Sequence, residues 1–267
     1  MTNVNVDTDK LLGVAIEASE TAGNIIVKRF RTISSIRYKG KDNPVTDVDL
    51  LAEETIVDII SRQFPEHNIL SEEVHTVDRG SRYTWVIDPL DGTMNFTMGI
   101  PLVAVSVALA LDDIPLLGAI YDPIRKEMFT AVHGKGALLN GKLIAVSKKQ
   151  RLQDAVVGLD LGYDDAARQR ALETAVSIRP QIQTLRVIGS AVLGLCYVAC
   201  GRFDVYFHPS IYPWDIMAAA VLITEAGGKV TDLYGEEVTK QTSNIAASNP
   251  ELHRQFMDLA AYRLRTM

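Results

Sequence analysis

The segment WVIDPLDGTMNF, from Trp85 to Phe96, places two aspartates directly after an apolar run. The run predicts a buried strand, and Asp88 and Asp91 would stand where it ends. Carboxylates brought together at the edge of an apolar core repel each other, and burial raises the cost of their charge. The fold must therefore supply cations or hydrogen-bond donors at this point of the chain.

Hydrophobic periodicity predicts two amphipathic helices in the first part of the chain. The first spans Asp9 to Phe30 and has Thr8 or Asp9 as its N-cap. The second spans Asp47 to Phe64 and ends at Pro65, which cannot continue a helix. Its apolar side is predicted to consist of Leu50, Leu51, Ile56, Ile59 and Ile60.

The rest of the chain predicts strands first and then a mixture of strands and helices. The segment between the two helices predicts a strand or loop broken at Gly40 and Pro44. From Trp85 to Thr130 apolar runs are separated by short turns, which favours antiparallel pairing. Strands and helices alternate beyond a polar stretch from Lys148 to Leu152. This order implies an α/β (α+β) fold of layered elements with a seam near residue 150.

Composition narrows the class of partner and the compartment. The net charge is −6 without a basic block, which argues against a nucleic-acid or membrane-surface partner. Cys196 and Cys200 lie four residues apart, lack the further ligands of a zinc site and are predicted to be small hydrophobes of a core helix. The polar N-terminus lacks a signal peptide, and the longest apolar run, Ile100 to Leu111, is too short to span a bilayer. These features predict a cytoplasmic protein.

Acidic residues cluster at the ends of four predicted elements. They are Glu72 and Glu73 after a strand, Asp88 and Asp91 after another, Asp215 at the start of a helix, and Asp47 and Asp49 at the start of the second helix. Each cluster has a structural interpretation, because acids cap helices, fill solvated loops and form turns. A calcium loop starting at Asp88 is excluded, since its twelfth position is Gly99 rather than an acid.

A turn does not explain the whole of DPLDGTMNF. Asp88 and Asp91 could share a hard cation, with the carbonyl of Leu90 between them. Gly92 and Thr93 could offer backbone N–H groups to a phosphate oxygen. Clustered carboxylates beside an anion cradle indicate metal-assisted phosphoryl transfer.

DPLDGTMNF together with WDIMAAAVLITEAGG resembles the inositol monophosphatase family, within the lithium-sensitive Mg²⁺-dependent phosphatases. PVTDVD, ILSEE, HGKGALLNGKL and VIGSAVLGLCYVACGRFD follow in the order expected for this family. The resemblance implies a layered α/β/α/β/α sandwich that is usually a homodimer. Residues 1–150 would form an N-terminal α+β half with the main metal site, and residues 151–267 a C-terminal α/β half that completes the metal and substrate site in one compact unit.

The resemblance also implies a set of Mg²⁺ ligands. Glu72, Asp88 and the Leu90 carbonyl would hold one Mg²⁺, while Asp88, Asp91 and Asp215 would hold a second. A third, more weakly bound ion would be coordinated by Glu72 and water molecules. Lithium inhibition is expected through replacement of a weakly held Mg²⁺.

The roles implied for the catalytic residues involve a metal-bound water. Thr93 and Glu72 would orient that water for in-line attack, and Asp49 would accept the hydrogen bond of the Thr93 hydroxyl. Asp47 keeps its role at the helix start. A lysine lies near the phosphate in some family members, and Lys39 falls at or beside that position.

The predicted substrate contacts divide between the phosphate and the alcohol. The resemblance assigns to them Asp91, Gly92, Thr93, Gly189, Ser190, Ala191, His208 and Asp215. His208 departs from the family pattern, because many inositol phosphatases have a glutamate there. A histidine can bind a hydroxyl or favour a second anionic group.

We therefore predict a Mg²⁺-dependent phosphomonoesterase that acts on a small polyol or sugar phosphate. Inositol 1-phosphate is the favoured substrate. Fructose 1,6-bisphosphate is the runner-up, and histidinol phosphate or a 3′-phosphonucleotide is a further alternative. A non-catalytic regulatory binding protein is less favoured, because the acids and Thr93 are all present.

Overall fold

The computed structural model describes residues 7–32, 35–40 and 43–261. Its α-helices are α1 (Thr8–Arg29), α2 (Asp47–Gln63), α3 (Thr93–Thr97), α4 (Asp165–Ile178), α5 (Ala191–Ala199), α6 (Pro213–Glu225) and α7 (Pro250–Phe256). Its strands are β1 (Ile36–Gly40), β2 (Asn43–Thr46), β3 (Asn68–Ser71), β4 (Thr76–Val77), β5 (Tyr83–Asp91), β6 (Ala104–Leu111), β7 (Ile114–Asp122), β8 (Glu127–Val132), β9 (Ala137–Leu139), β10 (Lys142–Leu143), β11 (Val156–Leu159), β12 (Thr184–Val187), β13 (Val205–His208), β14 (Lys229–Thr231) and β15 (Ile245–Ser248). Short 3₁₀ turns cover Leu152–Asp154 and Arg179–Gln181, and Met257–Ala261 is π-helical.

The described strands form a small hairpin and two larger sheets. The hairpin is β1 with β2, the first sheet has the order β10-β9-β8-β7-β6-β5-β3-β4, and the second has the order β12-β11-β13-β15-β14. Neighbours from β5 through β10 pair antiparallel, as the short turns predict, whereas β3 runs parallel to β5.

The two larger sheets alternate with three layers of helices. Helices α1 and α2 pack on one face of the first sheet. Helices α5 and α6 lie between the two sheets, and α4 and α7 share a core with the far face of the second sheet. The layer order α/β/α/β/α predicted from the family resemblance is confirmed. A single buried cluster contains residues from both sides of position 150, including Ile120 on β7 and Met217 on α6.

Close packing of α6 on the first sheet depends on a glycine in β7. A Cβ at Gly118 would lie 2.6 Å from the carbonyl oxygen of Ala218, which is shorter than any van der Waals contact. The missing side chain therefore lets the α6 backbone lie directly on the sheet. This contact sets the distance between α6 and the first sheet. It thereby helps to place Asp215, which lies in the first turn of α6.

The ends and faces of the first two helices differ in part from the sequence predictions. Asp7, rather than Thr8 or Asp9, is the N-cap of α1, and its carboxylate accepts from the Lys10 N–H at 3.0 Å. The buried stripe of α2 contains Val48, Ala52, Ile56 and Ile60, which recur every four residues. The prediction that Leu50 and Leu51 belong to this stripe was wrong, because they lie off this i, i+4 row and are exposed.

The segment between these helices is a strand hairpin, where a broken strand or loop was predicted. Pro44 lies inside β2 opposite Tyr38, and a hairpin with two edge strands tolerates a residue without an N–H. Part of the predicted break, residues 41–42, lies outside the described residues. Within the described part of the chain, no helix combines the length and the apolar character needed to cross a bilayer.

Candidate metal centre

A bulge at the end of β5 turns two aspartates toward the same side of the sheet. Asp88 pairs with Ser106 of β6, but Asp91 pairs with Ala104, so three steps along β5 match two steps along its partner. In a regular strand, residues three apart point to opposite faces. The extra residue corrects this alternation, and Pro89, which lies in the irregular stretch, is tolerated at such a bulge.

The third carboxylate of the cluster comes from the first turn of α6. Tyr212 is the N-cap of α6, and the carboxylate of Asp215, the third helical residue, accepts from the Tyr212 N–H at 3.1 Å, so Asp215 supports the helix start as the sequence allowed without being the cap itself. Asp88, Asp91 and Asp215 each offer a carboxylate oxygen, and these oxygens all lie within 4.8 Å of one another. All three residues are at least 94% buried.

Glu72 approaches this cluster because of the parallel pairing of β3 with β5. Ser71 is in register with Ile87, and the Glu72 N–H donates to the Ile87 carbonyl at 3.2 Å. Glu72 therefore sits beside Asp88. Lys39 Nζ lies 3.3 Å from Glu72 Oε1 and 2.5 Å from Glu73 Oε2.

Burial controls the protonation of these acids. Loss of solvent, followed by the charges of the neighbouring carboxylates, raises the pKa of Asp88 and Asp91 well above the usual range. Burial raises the pKa of Asp215 to about 6. It also raises the pKa of Glu72 to about 8, although the Lys39 ammonium opposes the shift.

The donor set matches a hard divalent cation. The close carboxylate group consists of Asp88, Asp91 and Asp215, while Glu72 and Leu90 line the same cavity outside that group. Carboxylate and carbonyl oxygens are the ligands that Mg²⁺ prefers. Cations between the carboxylates would offset the repulsion and desolvation that raise their pKa values. The residues therefore fit the Mg²⁺ ions that the sequence predicts.

Asp49 joins the start of α2 to the start of α3. Its Oδ1 accepts from the Thr93 hydroxyl at 2.8 Å, and its Oδ2 accepts from the Thr46 N–H at 2.8 Å. Thr46 is the N-cap of α2, so Asp49 completes a capping box while it contacts Thr93, and Asp47 is not the cap. Thr93 Oγ1 also lies 3.0 Å from the Leu90 carbonyl oxygen.

The turn at Gly92 requires glycine. Its φ is +85°, and a Cβ there would lie 2.8 Å from the Leu102 carbonyl oxygen. The chain can then turn directly from β5 into α3, which places Thr93 next to the carboxylates.

The predicted alcohol-binding loop, residues 189–191, is hydrogen-bonded to Asp91 of the metal centre. The Ser190 hydroxyl donates to Asp91 Oδ2, and the Ala191 N–H donates to Asp91 Oδ1 at 3.1 Å. The Gly189 N–H donates to Asp160 Oδ1 at 2.8 Å, and Asn95 Nδ2 donates to the Gly189 carbonyl at 3.0 Å. In this structure these groups hold Asp91 and the loop in place, and their contact with substrate stays a prediction.

A cavity of about 820 Å³ opens onto the carboxylates. Along with the metal-centre acids, it is lined by Lys39, Gly92, Thr93, Asp160, Tyr163, Arg168, Gly189, Ala191, His208 and Tyr212. Burial lowers the pKa of His208 to about 3, so the imidazole is neutral at physiological pH. The Ser210 N–H lies 3.4 Å from its Nδ1, which leaves Nε2 to carry the proton.

Sequence reasoning missed three residues that organise this site. Tyr163 donates to Asp215 Oδ2 at 3.2 Å, and its ring packs 4.8 Å from that of Tyr212. Asp160 accepts from the Tyr206 hydroxyl at 2.9 Å as well as from Gly189. Glu53 binds the loop that follows Glu72. Asp160 had a usable signal, because it follows the apolar run VVGL of β11 in the same way that Asp88 follows WVI.

Comparisons with known proteins agree with this geometry. The model of the family described as "Inositol monophosphatase family" matches residues 7–265. The chain is 36% identical to "Inositol monophosphatase 1" of Solanum lycopersicum over 261 residues, covering 95% of this chain and 96% of the relative. It is 39% identical to "Nus factor SuhB" of Salmonella typhimurium over 249 residues, covering 91% and 92%. A solved structure of an IMPase from Thermotoga maritima is similar with a TM-score of 0.88 at 30% identity, covering 96% of this chain and 98% of that one.

Proposed function

Because this chain belongs to the inositol monophosphatase family and is thereby a phosphoric monoester hydrolase, we propose that it hydrolyses inositol 1-phosphate to inositol and phosphate with Mg²⁺. One observation carries the proposal. Asp88, Asp91 and Asp215 are buried together at the floor of a cavity that is large enough for a sugar-sized phosphate ester.

The ligands of the Mg²⁺ ions divide into overlapping sets. Glu72, Asp88 and the Leu90 carbonyl would hold one ion. Asp88, Asp91 and Asp215 would hold a second, and Glu72 would be the protein ligand of a third. When bound, the ions neutralise charge on the phosphoryl oxygens and lower the pKa of water at the site.

The chain's own residues orient the nucleophile and the phosphate. The Thr93 proton is directed at Asp49 Oδ1, so a lone pair of Thr93 Oγ1 can accept a hydrogen bond from the attacking water. Burial raises the pKa of Asp49, which makes it a better acceptor for the Thr93 proton. Glu72 aligns the water from the other side, and the N–H groups of Gly92 and Thr93 bind phosphate oxygens.

The neutral imidazole of His208 favours a polyol monophosphate over fructose 1,6-bisphosphate at that position. A second phosphate needs a cationic partner, and His208 is neutral there. Lys39 is paired with Glu72 and Glu73. Arg168 also lines the cavity, and its pair with Asp165 is weak because the Asp165 side chain is 82% exposed. A neutral imidazole can bind a hydroxyl of a polyol, so the departure at position 208 is compatible with inositol.

Further properties predicted from the family remain part of the proposal. They are a homodimer, two to three Mg²⁺ ions per subunit and a cytoplasmic location. Lithium sensitivity is typical of the family, and we propose that Li⁺ competes for the most weakly held ion.

The second candidate function is regulatory binding without turnover. It is favoured by the similarity to proteins named Nus factor SuhB. Retention of Glu72, Asp88, Asp91, Thr93 and Asp215 argues for catalysis in this chain, because a pure binding role would not require the complete set.

The experiment is a phosphate-release panel with Mg²⁺. It compares inositol 1-phosphate, fructose 1,6-bisphosphate, histidinol phosphate and a 3′-phosphonucleotide. Turnover should be highest with inositol 1-phosphate and should disappear in Asp91→Asn while the protein stays folded. A matched control is Asp204→Asn, which alters a buried carboxylate at the end of β13 opposite to His208 and should retain activity. Release from none of the substrates would reject the enzyme proposal.

A further inference from the structure

A buried glutamate on α2 holds the loop that carries Glu72. Glu53 is 1% exposed and lies one helical turn after Asp49, on the same side of the helix. A carboxylate at such a depth needs several donors, since burial without them is costly. Its donors all come from the segment directly after Glu72.

Successive backbone N–H groups wrap around this carboxylate. Glu53 Oε2 accepts from the Glu73 N–H at 3.0 Å, and Oε1 accepts from the Val74 N–H at 3.0 Å and the His75 N–H at 2.6 Å. The His75 ring adds a contact of 2.8 Å between Nδ1 and Oε1. Consecutive amides that converge on one anion fix the main chain of the loop that supplies them.

The same loop is anchored to the sheet at its other end. The Glu72 N–H donates to the Ile87 carbonyl at 3.2 Å, and the Ser71 N–H donates to the His75 carbonyl at 3.0 Å. The N–H of Glu72 is thus bound to the sheet, and the N–H of the next residue, Glu73, is bound to Glu53. The main chain at Glu72 is therefore fixed on both sides, by the sheet and by Glu53.

We propose that Glu53 is a positioning residue for Mg²⁺ binding, which it supports by holding the Glu72 loop against α2. The inference rests on the proposed metal site. Through Asp49 and Glu53, α2 then positions two parts of the site at once, because Asp49 contacts Thr93. Residues that support metal ligands from behind typically change metal affinity by about 10- to 100-fold when they are altered.

The test compares Mg²⁺ binding in the full-length wild type, Glu53→Gln, Glu53→Asp and Asp204→Asn by calorimetric titration. A glutamine amide offers one acceptor oxygen and turns an NH₂ group toward the loop amides, so it cannot replace the carboxylate. Glu53→Gln should weaken Mg²⁺ binding by about 10-fold or more. Glu53→Asp keeps the negative charge on a side chain that is shorter by one methylene. Its Mg²⁺ affinity should lie between those of Glu53→Gln and the wild type.

Asp204→Asn separates positioning from general destabilisation. Asp204 is buried and accepts from Lys149 Nζ at 2.9 Å and from the Val156 N–H, away from the cavity. This variant should lose thermal stability but keep wild-type Mg²⁺ affinity. Hydrogen exchange should speed up at the amides of residues 73–75 only in the Glu53 variants.

Equal Mg²⁺ affinity in wild type and Glu53→Gln would overturn the inference and leave the proposed function intact. If Glu53→Gln does not fold, the same comparison with Glu53→Asp decides. Absence of Mg²⁺ binding by the wild type would instead overturn the proposed metal site itself.

Discussion

The Thr93 hydroxyl donates to Asp49 Oδ1 at 2.8 Å, which connects residues 44 positions apart in the chain. Asp49 serves two purposes at this point, since its other oxygen accepts from the Thr46 N–H at the start of α2. The proposed catalytic contact and the capping contact of α2 therefore fall on one carboxylate, and substitutions can separate them.

Thr93→Val is expected to lower kcat by about 100-fold, because it removes the hydroxyl that orients water and leaves the backbone N–H in place. Its free energy of unfolding should change by only about 1 kcal/mol, the value of one hydrogen bond. Asp49→Asn should also lower kcat and should destabilise the protein by about 1–2 kcal/mol, because one amide oxygen cannot accept from both the Thr46 N–H and the Thr93 hydroxyl as the carboxylate does. Steady-state kinetics and urea denaturation measure both quantities. A Thr93→Val enzyme with wild-type kcat would contradict the assigned role.

The thermal stability of the metal-free protein should decrease as the pH rises. The folded-state pKa values of Glu72, about 8, and Asp215, about 6, are raised above their usual values of 4.5 and 3.8. Their contribution to metal-free stability is complete below the unfolded pKa values of 3.8 and 4.5, and it is lost as pH rises to about 6 for Asp215 and to about 8 for Glu72. Tm in EDTA should therefore fall over this range.

Mg²⁺ affinity should rise over the same pH range, because protons and Mg²⁺ compete for the same carboxylates. Calorimetry in buffers of different ionisation enthalpy should detect proton release on binding. Mg²⁺ affinity that is constant between pH 6 and 8 would show that these acids are already ionised.

Gly92→Ala should destabilise the protein by about 2–4 kcal/mol, since it combines a left-handed backbone with overpacking. Gly80→Ala is the matched control, because Gly80 has a φ of +69° but a Cβ there would meet no atom within 4 Å. The control should cost about 1–2 kcal/mol and keep activity, whereas Gly92→Ala should also lose activity. Equal losses in thermal denaturation would mean that the contact with Leu102 is relieved without cost.

His208→Ala should raise KM for inositol 1-phosphate by about 10-fold with little change in kcat, as expected for loss of one hydrogen bond to the alcohol. His208→Gln keeps a donor and should recover part of the affinity. With its pKa near 3, His208 should add no limb to the pH profile of KM between pH 6 and 8. A change in kcat alone would place His208 outside the alcohol site.

Much of this protein follows from local sequence pattern. The order of helices and strands is set by hydrophobic periodicity and by glycine and proline positions, and acids at element ends identify the ligand candidates. The predicted contact between Asp49 and Thr93 is present, and both residues lie in the first turns of helices that follow strands, α2 after β2 and α3 after β5. The face of α2 was harder to predict, since Leu50 and Leu51 are apolar but lie off the buried row.

The carboxylates of the metal centre come together through contacts between distant parts of the chain. Asp88 and Asp91 share one face because pairing with β6 places a bulge between them, and strand register is a property of two strands rather than one. Glu53 looks like any acid of an amphipathic helix, and its role is visible only where α2 lies against the loop after Glu72. The order of amino acids specifies which residue types are available for cation and phosphate chemistry. Packing decided which of them are buried together, because burial and proximity depend on contacts between distant parts of the chain.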